Sequence, residues 1–366
     1  MRARVQRAGC LTAAGIDIGR GVKNTERRTF APARVNLMGE HTDYSGGLVL
    51  PVALDVGTTV SWRPLDGIVR ARSATFDSTV EVDTNEPSHN VSGWGRYVAA
   101  LVDLLRERGR PAYGMDAMVE STAPMGAGLS SSAALTVSFG LALCRAASFE
   151  LPSIELAHVA REAEGRAVGV PCGLMDPAAS LLARSGHALL LDCGSETYRQ
   201  VALPECVSIV VVDSGVRRSL EHSGYSARRQ EVERAFAGAD DYIAQRRLRH
   251  VVSENERVRL TVAALESNRG PDLAALGDLF REGHDSLRED FEVSTPELDL
   301  LVELSYDYGA IAARMTGGGF GGSVVVLAHV DEAERVGRDV VDAYGARTGR
   351  TATAGVHAAV DGAAWR

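Results

Sequence analysis

The hydrophobic pattern of the chain alternates between segments typical of helices and segments typical of strands. Six segments have the pattern of helices: residues 94–105, 130–144, 153–168, 228–244, 253–266 and 298–306. Short apolar runs predict strands at residues 187–192, 207–213 and 323–330, and apolar runs alternate with turns from residue 30 to residue 76. Helices and strands mixed in this order indicate an α+β protein.

The length of 366 residues is too great for one average domain and suits two. No obvious linker marks the boundary between them. We place it near residue 200, after the predicted strand H-A-L-L-L-D. This gives an N-terminal domain of residues 1–200 and a C-terminal domain of residues 201–366.

Composition and charge exclude several classes of protein. The net charge is −9, which argues against nucleic acid or an anionic membrane as the main partner, because both favour a basic surface. No apolar run reaches the ~18 residues that a membrane span needs, and we predict no signal peptide. The five cysteines include no C-x-x-C pair, so neither a zinc site nor a disulfide framework is indicated. We therefore expect a cytoplasmic protein.

Residues 34–47 form a segment that is unusually dense in ionisable groups. This signature segment reads R-V-N-L-M-G-E-H-T-D-Y-S-G-G, with Arg34, Glu40, His41 and Asp43 close together. Such groups are seldom fully buried unless they are paired. An apolar run that looks like a buried strand follows at residues 48–54, and polar groups beside a rigid element suit a ligand with many hydroxyl groups. The alternative is a charged turn between two strands.

A second segment, the glycine-serine loop (residues 124–134), reads P-M-G-A-G-L-S-S-S-A-A ahead of a predicted helix. Gly126 and Gly128 allow a tight turn, and three serines stand at the helix start, where free N–H groups can bind a phosphate. Serine hydroxyls at such a place can also hold Mg²⁺. The alternative is an ordinary N-capped helix. A Walker A loop is excluded, because no G-K-[ST] occurs.

A third segment, the glycine run (residues 315–322), reads M-T-G-G-G-F-G-G and contains the spacing G-x-G-x-x-G. A dinucleotide site would need a helix after it, but the valine-rich strand S-V-V-V-L follows, so we exclude NAD binding. The glycines then either allow close approach of another segment or form a flexible turn.

Asp176 lies in the apolar context G-V-P-C-G-L-M-D-P, where burial of an isolated carboxylate would be costly. It is therefore either exposed in a turn or paired with a cation.

These segments resemble the motifs of the galactokinases, members of the GHMP sugar and metabolite kinases. The signature segment is similar to their R-V-N-L-I-G-E-H-T-D-Y-N-G-G, and matching segments run from about residue 30 to residue 322. Three positions depart from the family pattern: Ala33 replaces a glycine, which would strain the backbone if φ is positive there, Pro177 replaces a glutamine, and Ser323 replaces a cysteine.

The resemblance implies a two-domain GHMP-kinase fold, with mixed and antiparallel sheets flanked by helices and an active site in the cleft between the domains. It also implies an enzyme that uses ATP to phosphorylate the anomeric hydroxyl of α-D-galactose, giving α-D-galactose 1-phosphate and ADP in galactose catabolism. The expected partners are galactose and ATP, the expected cofactor is Mg²⁺, and we expect a monomer.

The resemblance assigns a role to each candidate site residue. The catalytic pair would be Asp176 and Arg34. The sugar would contact Glu40, His41, Asp43, Gly173 and Tyr225. The nucleotide would contact Trp94, Pro124, Gly126, Gly128, Leu129, Ser130 and Ser131. The magnesium ligands would be Ser132 and Glu164. A solvated helix-face role for Glu164 and a core role for Trp94 are the alternatives, and Asp176 could act as a base or as a charge stabiliser.

Two other functions remain open. One is another GHMP sugar 1-kinase, such as an N-acetylgalactosamine kinase, which would need space at C2 of the sugar. The other is a non-catalytic sensor that binds galactose and ATP without turnover. Intact Arg34 and Asp176, together with a complete glycine-serine loop, argue against the sensor.

Overall fold

The computed structural model describes residues 26–217 and 223–365. The strands are β1 (Arg27–Asn36), β2 (Leu48–Val49), β3 (Pro51–Asp66), β4 (Ile68–Ser73), β5 (Ser78–Asp83), β6 (Tyr113–Ser121), β7 (His187–Asp192), β8 (Thr197–Ala202), β9 (Val207–Asp213), β10 (Ala312–Thr316), β11 (Ser323–His329), β12 (Thr353–His357) and β13 (Ala364–Trp365). The helices are α1 (Gly95–Glu107), α2 (Ser131–Ala146), α3 (Ser153–Val168), α4 (Met175–Leu182), α5 (Ser223–Phe236), α6 (Tyr242–Leu265), α7 (Leu273–Glu289), α8 (Pro296–Asp307) and α9 (Ala333–Thr348).

Three sheets organise these elements. A six-stranded sheet has the order β13-β1-β3-β6-β4-β5, and it is mixed because β4 pairs with β6 in parallel. Helices α1, α2 and α3 pack with it around an apolar core that includes Trp62 and Phe139. A four-stranded antiparallel sheet has the order β10-β11-β9-β12 and packs with α8 and α9. A three-stranded sheet, β2-β7-β8, completes the set. The α+β class predicted from the sequence is confirmed.

Strand β1 carries a β-bulge where it approaches the signature segment. The pairing of β1 with β3 shifts register between Pro32 and Arg34, after which Arg34 lies opposite Ala53. Ala33, at the bulge, is buried, and it does not have a positive φ. The exchange of glycine for alanine there therefore introduces no left-handed strain, and the bulge turns Arg34 towards the loops that follow.

The predicted helix boundaries agree with the structure at α3, α1, α2 and α8 to within about two residues and disagree between α5 and α6. The single helix predicted over residues 228–244 is wrong, because α5 ends at Phe236 and Gly238 takes φ +94°. Asp241 then begins α6 by accepting a hydrogen bond from the Ala244 N–H (3.0 Å). Helix α6 continues without interruption to Leu265, so the predicted helix 253–266 is its second half.

The last strand returns the chain to the first sheet. β13 pairs antiparallel with β1, placing Phe30 opposite Ala364. The domain boundary near residue 200 stays a prediction. Strand β13 follows that boundary in the sequence, yet it belongs to the six-stranded sheet that contains β1. Of the helices in residues 26–217 and 223–365, none is long and apolar enough to cross a membrane.

Candidate active site

A cavity of about 620 Å³ lies where the three sequence motifs meet. It is lined by the signature segment, the glycine-serine loop, the start of α4 and the glycine run. All the predicted site residues except Trp94 and Pro124 line it: Arg34, Glu40, His41, Asp43, Gly126, Gly128, Leu129, Ser130, Ser131, Ser132, Glu164, Gly173, Asp176 and Tyr225. The structure therefore brings most of these residues to one place, while their individual roles stay predictions.

Asp176 lies in the first turn of α4 and is held by two donors. The Arg34 Nε donates to Asp176 Oδ1 (2.7 Å), and the Ser130 hydroxyl donates to Oδ2. The same guanidinium donates through an NH group to the Gly128 carbonyl (2.7 Å), so Arg34 also fixes the glycine-serine loop. The sequence left two interpretations of Asp176, exposure in a turn or pairing with a cation, and the structure shows the pairing.

The glycine-serine loop ends on a strained residue. Ser130 is the residue before α2 and has φ +58°, a left-handed conformation that costs free energy for a side chain with a Cβ. Its hydroxyl makes no capping hydrogen bond and turns instead to Asp176. The first N–H groups of α2 therefore receive no cap from Ser130, which contradicts the ordinary capped-helix alternative and suits an anion.

The signature segment places its carboxylates in the cavity wall. Glu40 is 2% exposed, and its Oε1 accepts a hydrogen bond from the Gly317 N–H (2.7 Å) in the glycine run. Burial raises the pKa of Glu40 to about 7, although Arg34 and Arg314 lower it in part. The N-terminal motif and the C-terminal glycine run are thus directly bonded beside the cavity.

Asp43 approaches the backbone at Gly173 very closely. A Cβ added at Gly173 would overlap Asp43 Oδ2 and would lie 2.9 Å from Oδ1. Burial, followed by the negative charge of Asp176, raises the pKa of Asp43 to about 6. Only glycine at position 173 leaves room for this carboxylate. The structure therefore gives a physical reason for Gly173, which the sequence analysis took from the family motif alone.

The rings of His41 and Tyr225 line the cavity and pack with neighbouring aromatic rings. The His41 ring lies 4.6 Å from the Phe291 ring and 5.5 Å from the Tyr225 ring, measured between centroids. The His41 Nδ1 is 3.1 Å from the Tyr44 hydroxyl. Burial raises the pKa of Tyr225 well above its usual range, so its hydroxyl remains protonated and can donate.

Three family models match the chain. They are the galactokinase galactose-binding signature at residues 21–64, the GHMP kinase N-terminal domain at residues 96–184 and the GHMP kinase C-terminal domain at residues 261–346. A galactokinase from Roseiflexus sp. (strain RS-1) is 41% identical over 360 residues and is matched over 91% of both chains. The chain belongs to the galactokinase family.

Solved structures agree with this family. The crystal structure of Lactococcus lactis galactokinase complexed with galactose superposes with a TM-score of 0.86 at 29% identity, covering 93% of this chain and 95% of that one. The mevalonate kinase of Methanococcus jannaschii superposes with a TM-score of 0.70 at 18% identity, covering 93% and 100%. At that identity the likeness shows the fold alone, and it confirms the predicted GHMP-kinase fold.

Two oxygens at the edge of the cavity suit the magnesium ion that the galactokinase resemblance implies. The Ser132 hydroxyl in the first turn of α2 donates to Glu164 Oε1 on α3. Burial, followed by the negative charge of Asp176, raises the pKa of Glu164 to about 7. A cation would favour the charged form, and Mg²⁺ prefers one or two protein oxygens together with phosphate oxygens. Within the described ranges, no group of three or more His, Cys, Asp or Glu side chains could hold a metal by itself.

Two predicted nucleotide contacts do not line this cavity. The Trp94 Nε1 donates to the Ser78 hydroxyl (2.8 Å), and its ring packs against the core between the six-stranded sheet and α1. This placement fits the alternative in which Trp94 anchors α1. Pro124 lies in the lead-in to the glycine-serine loop, outside the residues that line the cavity.

Several lining residues were missed from the sequence of this galactokinase-family chain. They are Tyr97, Val168, Val170, Pro171, Cys172, Met175, Gly224, Gly317, Gly318, Gly319 and Phe320. The spacing of Tyr97, one helical turn after Trp94, could have indicated a shared helix face. The glycine run resembles the third GHMP motif, which in that family shapes the active site, but none of its residues was among the individual candidate site residues.

The glycine run lies against the glycine-serine loop. A Cβ added at Gly322 would lie 3.1 Å from the Ala127 carbonyl oxygen, and Gly322 has φ +87°. The next residue, Ser323, donates its hydroxyl to the same carbonyl (2.7 Å). Close approach is therefore the reason for these glycines, and the serine that replaces the family cysteine supports the glycine-serine loop with a hydrogen bond.

Proposed function

We propose that this chain uses ATP to phosphorylate the anomeric hydroxyl of α-D-galactose, giving α-D-galactose 1-phosphate and ADP in galactose catabolism. The observation that carries the proposal is the Asp176 carboxylate, held by Arg34 and Ser130 between the signature segment and the glycine-serine loop. A carboxylate and a guanidinium placed between a sugar site and a phosphate site have the chemistry that phosphoryl transfer to a hydroxyl needs.

Asp176 and Arg34 would act on the anomeric hydroxyl. Asp176 would accept its proton or stabilise positive charge near it, and Arg34 would offset the negative charge that develops on the oxygen. The 2.7 Å bond between Arg34 and Asp176 supports a joint role, because each orients the other before substrate arrives.

The sugar hydroxyls would be held by Glu40, His41, Asp43 and Tyr225, with Gly173 leaving space for Asp43. Asp43 and Tyr225 would favour the axial C4 hydroxyl. Both are partly buried and line the cavity, and a site built to bond a hydroxyl discriminates strongly against a sugar that leaves its polar groups unpaired.

The nucleotide phosphates would lie against the glycine-serine loop. Gly126, Gly128 and Leu129 would present backbone groups to them, and Ser130 and Ser131 stand at the N-terminus of α2, where the helix dipole favours negative charge. Trp94 and Pro124 would lie farther along the nucleotide, towards the adenine and the start of the loop.

Mg²⁺ is the proposed cofactor, with Ser132 and Glu164 as its protein ligands. When bound, the ion would neutralise charge on the phosphate oxygens. Ser132 and Glu164 would orient the phosphate end of ATP towards Asp176, since the two side chains are hydrogen-bonded to each other and line the same cavity as Asp176.

We further propose that the protein is monomeric and cytoplasmic. The cysteines within the described ranges, Cys144, Cys172, Cys193 and Cys206, are free, which supports a reducing compartment. Size-exclusion chromatography with light scattering would test the oligomeric state.

An assay of ADP release across galactose, N-acetylgalactosamine and glucose tests the main proposal. We expect galactose to be the best substrate and glucose to be nearly inert, with phosphorus NMR placing the new phosphate on C1. Faster turnover of N-acetylgalactosamine or glucose, phosphorylation at C6, or binding of both ligands without ADP release would contradict it.

A further inference from the structure

A fully buried carboxylate on α6 binds the backbone of the signature segment. Glu254 is 0% exposed, and its Oε1 accepts hydrogen bonds from the Gly39 N–H (2.9 Å) and the Glu40 N–H (3.2 Å). The neighbouring Asn255 accepts from the Leu48 N–H (2.6 Å) on the other side of the same loop. Two consecutive residues of one helix therefore hold both limbs of the segment that carries the sugar-site residues.

Two arginines compensate the charge of Glu254. The Arg314 guanidinium, also 0% exposed, donates to Oε1 (2.7 Å), and the Arg257 Nε donates to Oε2 (2.9 Å). Burial by itself would raise the pKa of Glu254, but the surrounding positive charges, Arg314 foremost, outweigh it and lower the pKa to about 2. The carboxylate therefore stays ionised and remains an acceptor.

The same helix also holds the other side of residue 40. The His250 Nε2 lies 3.1 Å from the Glu40 carbonyl oxygen, and the His250 Nδ1 lies 2.9 Å from the Ser286 hydroxyl. Burial lowers the pKa of His250 to about 4, so the ring is neutral. A carbonyl can only accept, so Nε2 carries the proton and donates to it. Both backbone polar groups of Glu40 are thus bonded to α6.

The loop needs this support because its backbone is unfavourable by itself. Gly39 has φ +100°, and a Cβ there would clash with the Leu48 carbonyl oxygen and lie 2.8 Å from the Val49 Cα. His41 has φ +64°, a left-handed conformation in a residue that carries a Cβ. Such conformations persist only when the surrounding contacts determine them.

We propose that Glu254 is a positioning residue for the sugar site, which holds the backbone of residues 39–41 so that the Glu40 carboxylate and the His41 ring face the sugar. The inference rests on the proposed function, since it concerns the binding of the same substrate. The competing explanation is that the buried pair of Glu254 and Arg314 serves only to stabilise the packing of α6 and β10.

A set of variants separates positioning from stability. Glu254→Gln keeps an oxygen that can accept from the loop, whereas Glu254→Met keeps similar volume and loses the acceptor. The double variant Glu254→Met with Arg314→Met also removes the unpaired cation, a change that often restores the stability lost when one partner of a buried pair is removed. Arg110→Met is the matched control, because Arg110 is 5% exposed and bonds the Leu143 carbonyl (2.8 Å), away from the cavity.

The readouts are the KM for galactose, the KM for Mg·ATP, the Kd for galactose by calorimetry, and the melting temperature. We expect Glu254→Met to raise the KM and Kd for galactose at least about tenfold, because two backbone donors lose their acceptor. The KM for Mg·ATP should change less than about twofold, since the glycine-serine loop does not contact Glu254. The double variant should recover melting temperature but keep the raised KM for galactose. Arg110→Met should lose melting temperature with both KM values unchanged.

Recovery of the galactose KM together with the melting temperature in the double variant would overturn the inference, and so would an equal rise in both KM values. If the methionine variants do not fold, Glu254→Gln decides: we expect a threefold to tenfold rise for galactose alone, on the order of the change from a charged to a neutral acceptor. A wild-type protein that turns over no galactose would overturn the proposed function and the inference with it.

Discussion

The substitution Gly173→Ala tests the geometry of the sugar site with a single carbon. Gly173 does not have a positive φ, so alanine can adopt its backbone conformation. The three atoms nearest to the added Cβ all belong to the Asp43 carboxylate, with Oδ2 overlapped and Oδ1 at 2.9 Å, and real Cβ atoms essentially never come so close to another atom. The side chain of Asp43 must therefore move while the fold remains.

The size of the effect follows from the hydrogen bonds that Asp43 makes. In its present position the carboxylate accepts from the Tyr44 N–H (3.0 Å) and faces the cavity. A hydrogen bond to a charged group contributes about 1.5–3 kcal/mol. Since about 1.4 kcal/mol corresponds to a factor of ten, loss of one such bond to a sugar hydroxyl should lower kcat/KM for galactose roughly ten- to hundredfold.

The measurement is steady-state kinetics with galactose and Mg·ATP varied separately, together with thermal unfolding. Gly165→Ala, in α3, is the matched control. A Cβ there would lie 3.4 Å from the Val170 carbonyl oxygen, an ordinary contact, and alanine is the better helix former. We expect Gly165→Ala to keep full activity with an equal or higher melting temperature.

The decisive comparison uses Asp43→Ala as a background. If Gly173→Ala acts by displacing the carboxylate, it should have almost no further effect once that carboxylate is absent, because two changes that remove one interaction are not additive. An additive loss in the double variant, or full activity of Gly173→Ala alone, would refute the assignment of Asp43 to the sugar site.

Three further predictions concern the phosphate side of the cavity. Asp176→Asn should lower kcat at least about 10²-fold with little change in melting temperature, and a cycle with Arg34→Met should be non-additive because the two side chains act together; near-normal turnover would show that the assigned site is wrong. Ser132→Ala should raise the KM for Mg·ATP more than the Kd for galactose measured by calorimetry, whereas equal losses would indicate a role in folding. Because burial raises the pKa of Glu164 to about 7, above the usual 4.5, the folded protein binds more protons there than the unfolded chain, and the stability of the ligand-free protein should fall as pH rises from about 4.5 to about 7. In Glu164→Gln the fall in stability should be smaller in a pH series of thermal unfolding curves. Identical pH dependence in the variant and the wild-type protein would contradict a raised pKa of Glu164.

Local pattern was sufficient for elements whose ends carry their own signals. The predicted helix over residues 153–168 has the bounds observed for α3, and the predicted strands at 187–192 and 207–213 are β7 and β9. For α3, the apolar periodicity and the flanking Pro152 and Gly169 all lie within one short segment, so they predict both ends of the helix. The pattern did not predict the break at Gly238 between α5 and α6, because polar residues with helical spacing lie on both sides of it.

The sequence by itself also determined which chemistry the chain carries. The signature segment, the glycine-serine loop and the residues around Asp176 identified the family and more than half of the residues that line the cavity. The chemistry of these segments could be inferred from residue type and local order. Glycines allow unusual backbone angles, serines stand at a helix start, and carboxylates lie beside a strand. Local order did not distinguish the two roles of Trp94, since a helix anchor and a nucleotide contact have the same spacing.

Only the tertiary structure decided the contacts that these groups make, although the family resemblance already implied that Arg34 and Asp176 lie together. Arg34 and Asp176 are bonded although 142 positions separate them, and Glu254 binds the Gly39 N–H from 215 positions away. Periodicity reports which face of an element is buried, but it does not report which distant charge becomes the partner of a buried one. That choice follows from the packing of α4 against β1 and of α6 against β2, which buries these groups beside the signature segment. An unpaired carboxylate or backbone N–H is costly there, so that each must find a partner.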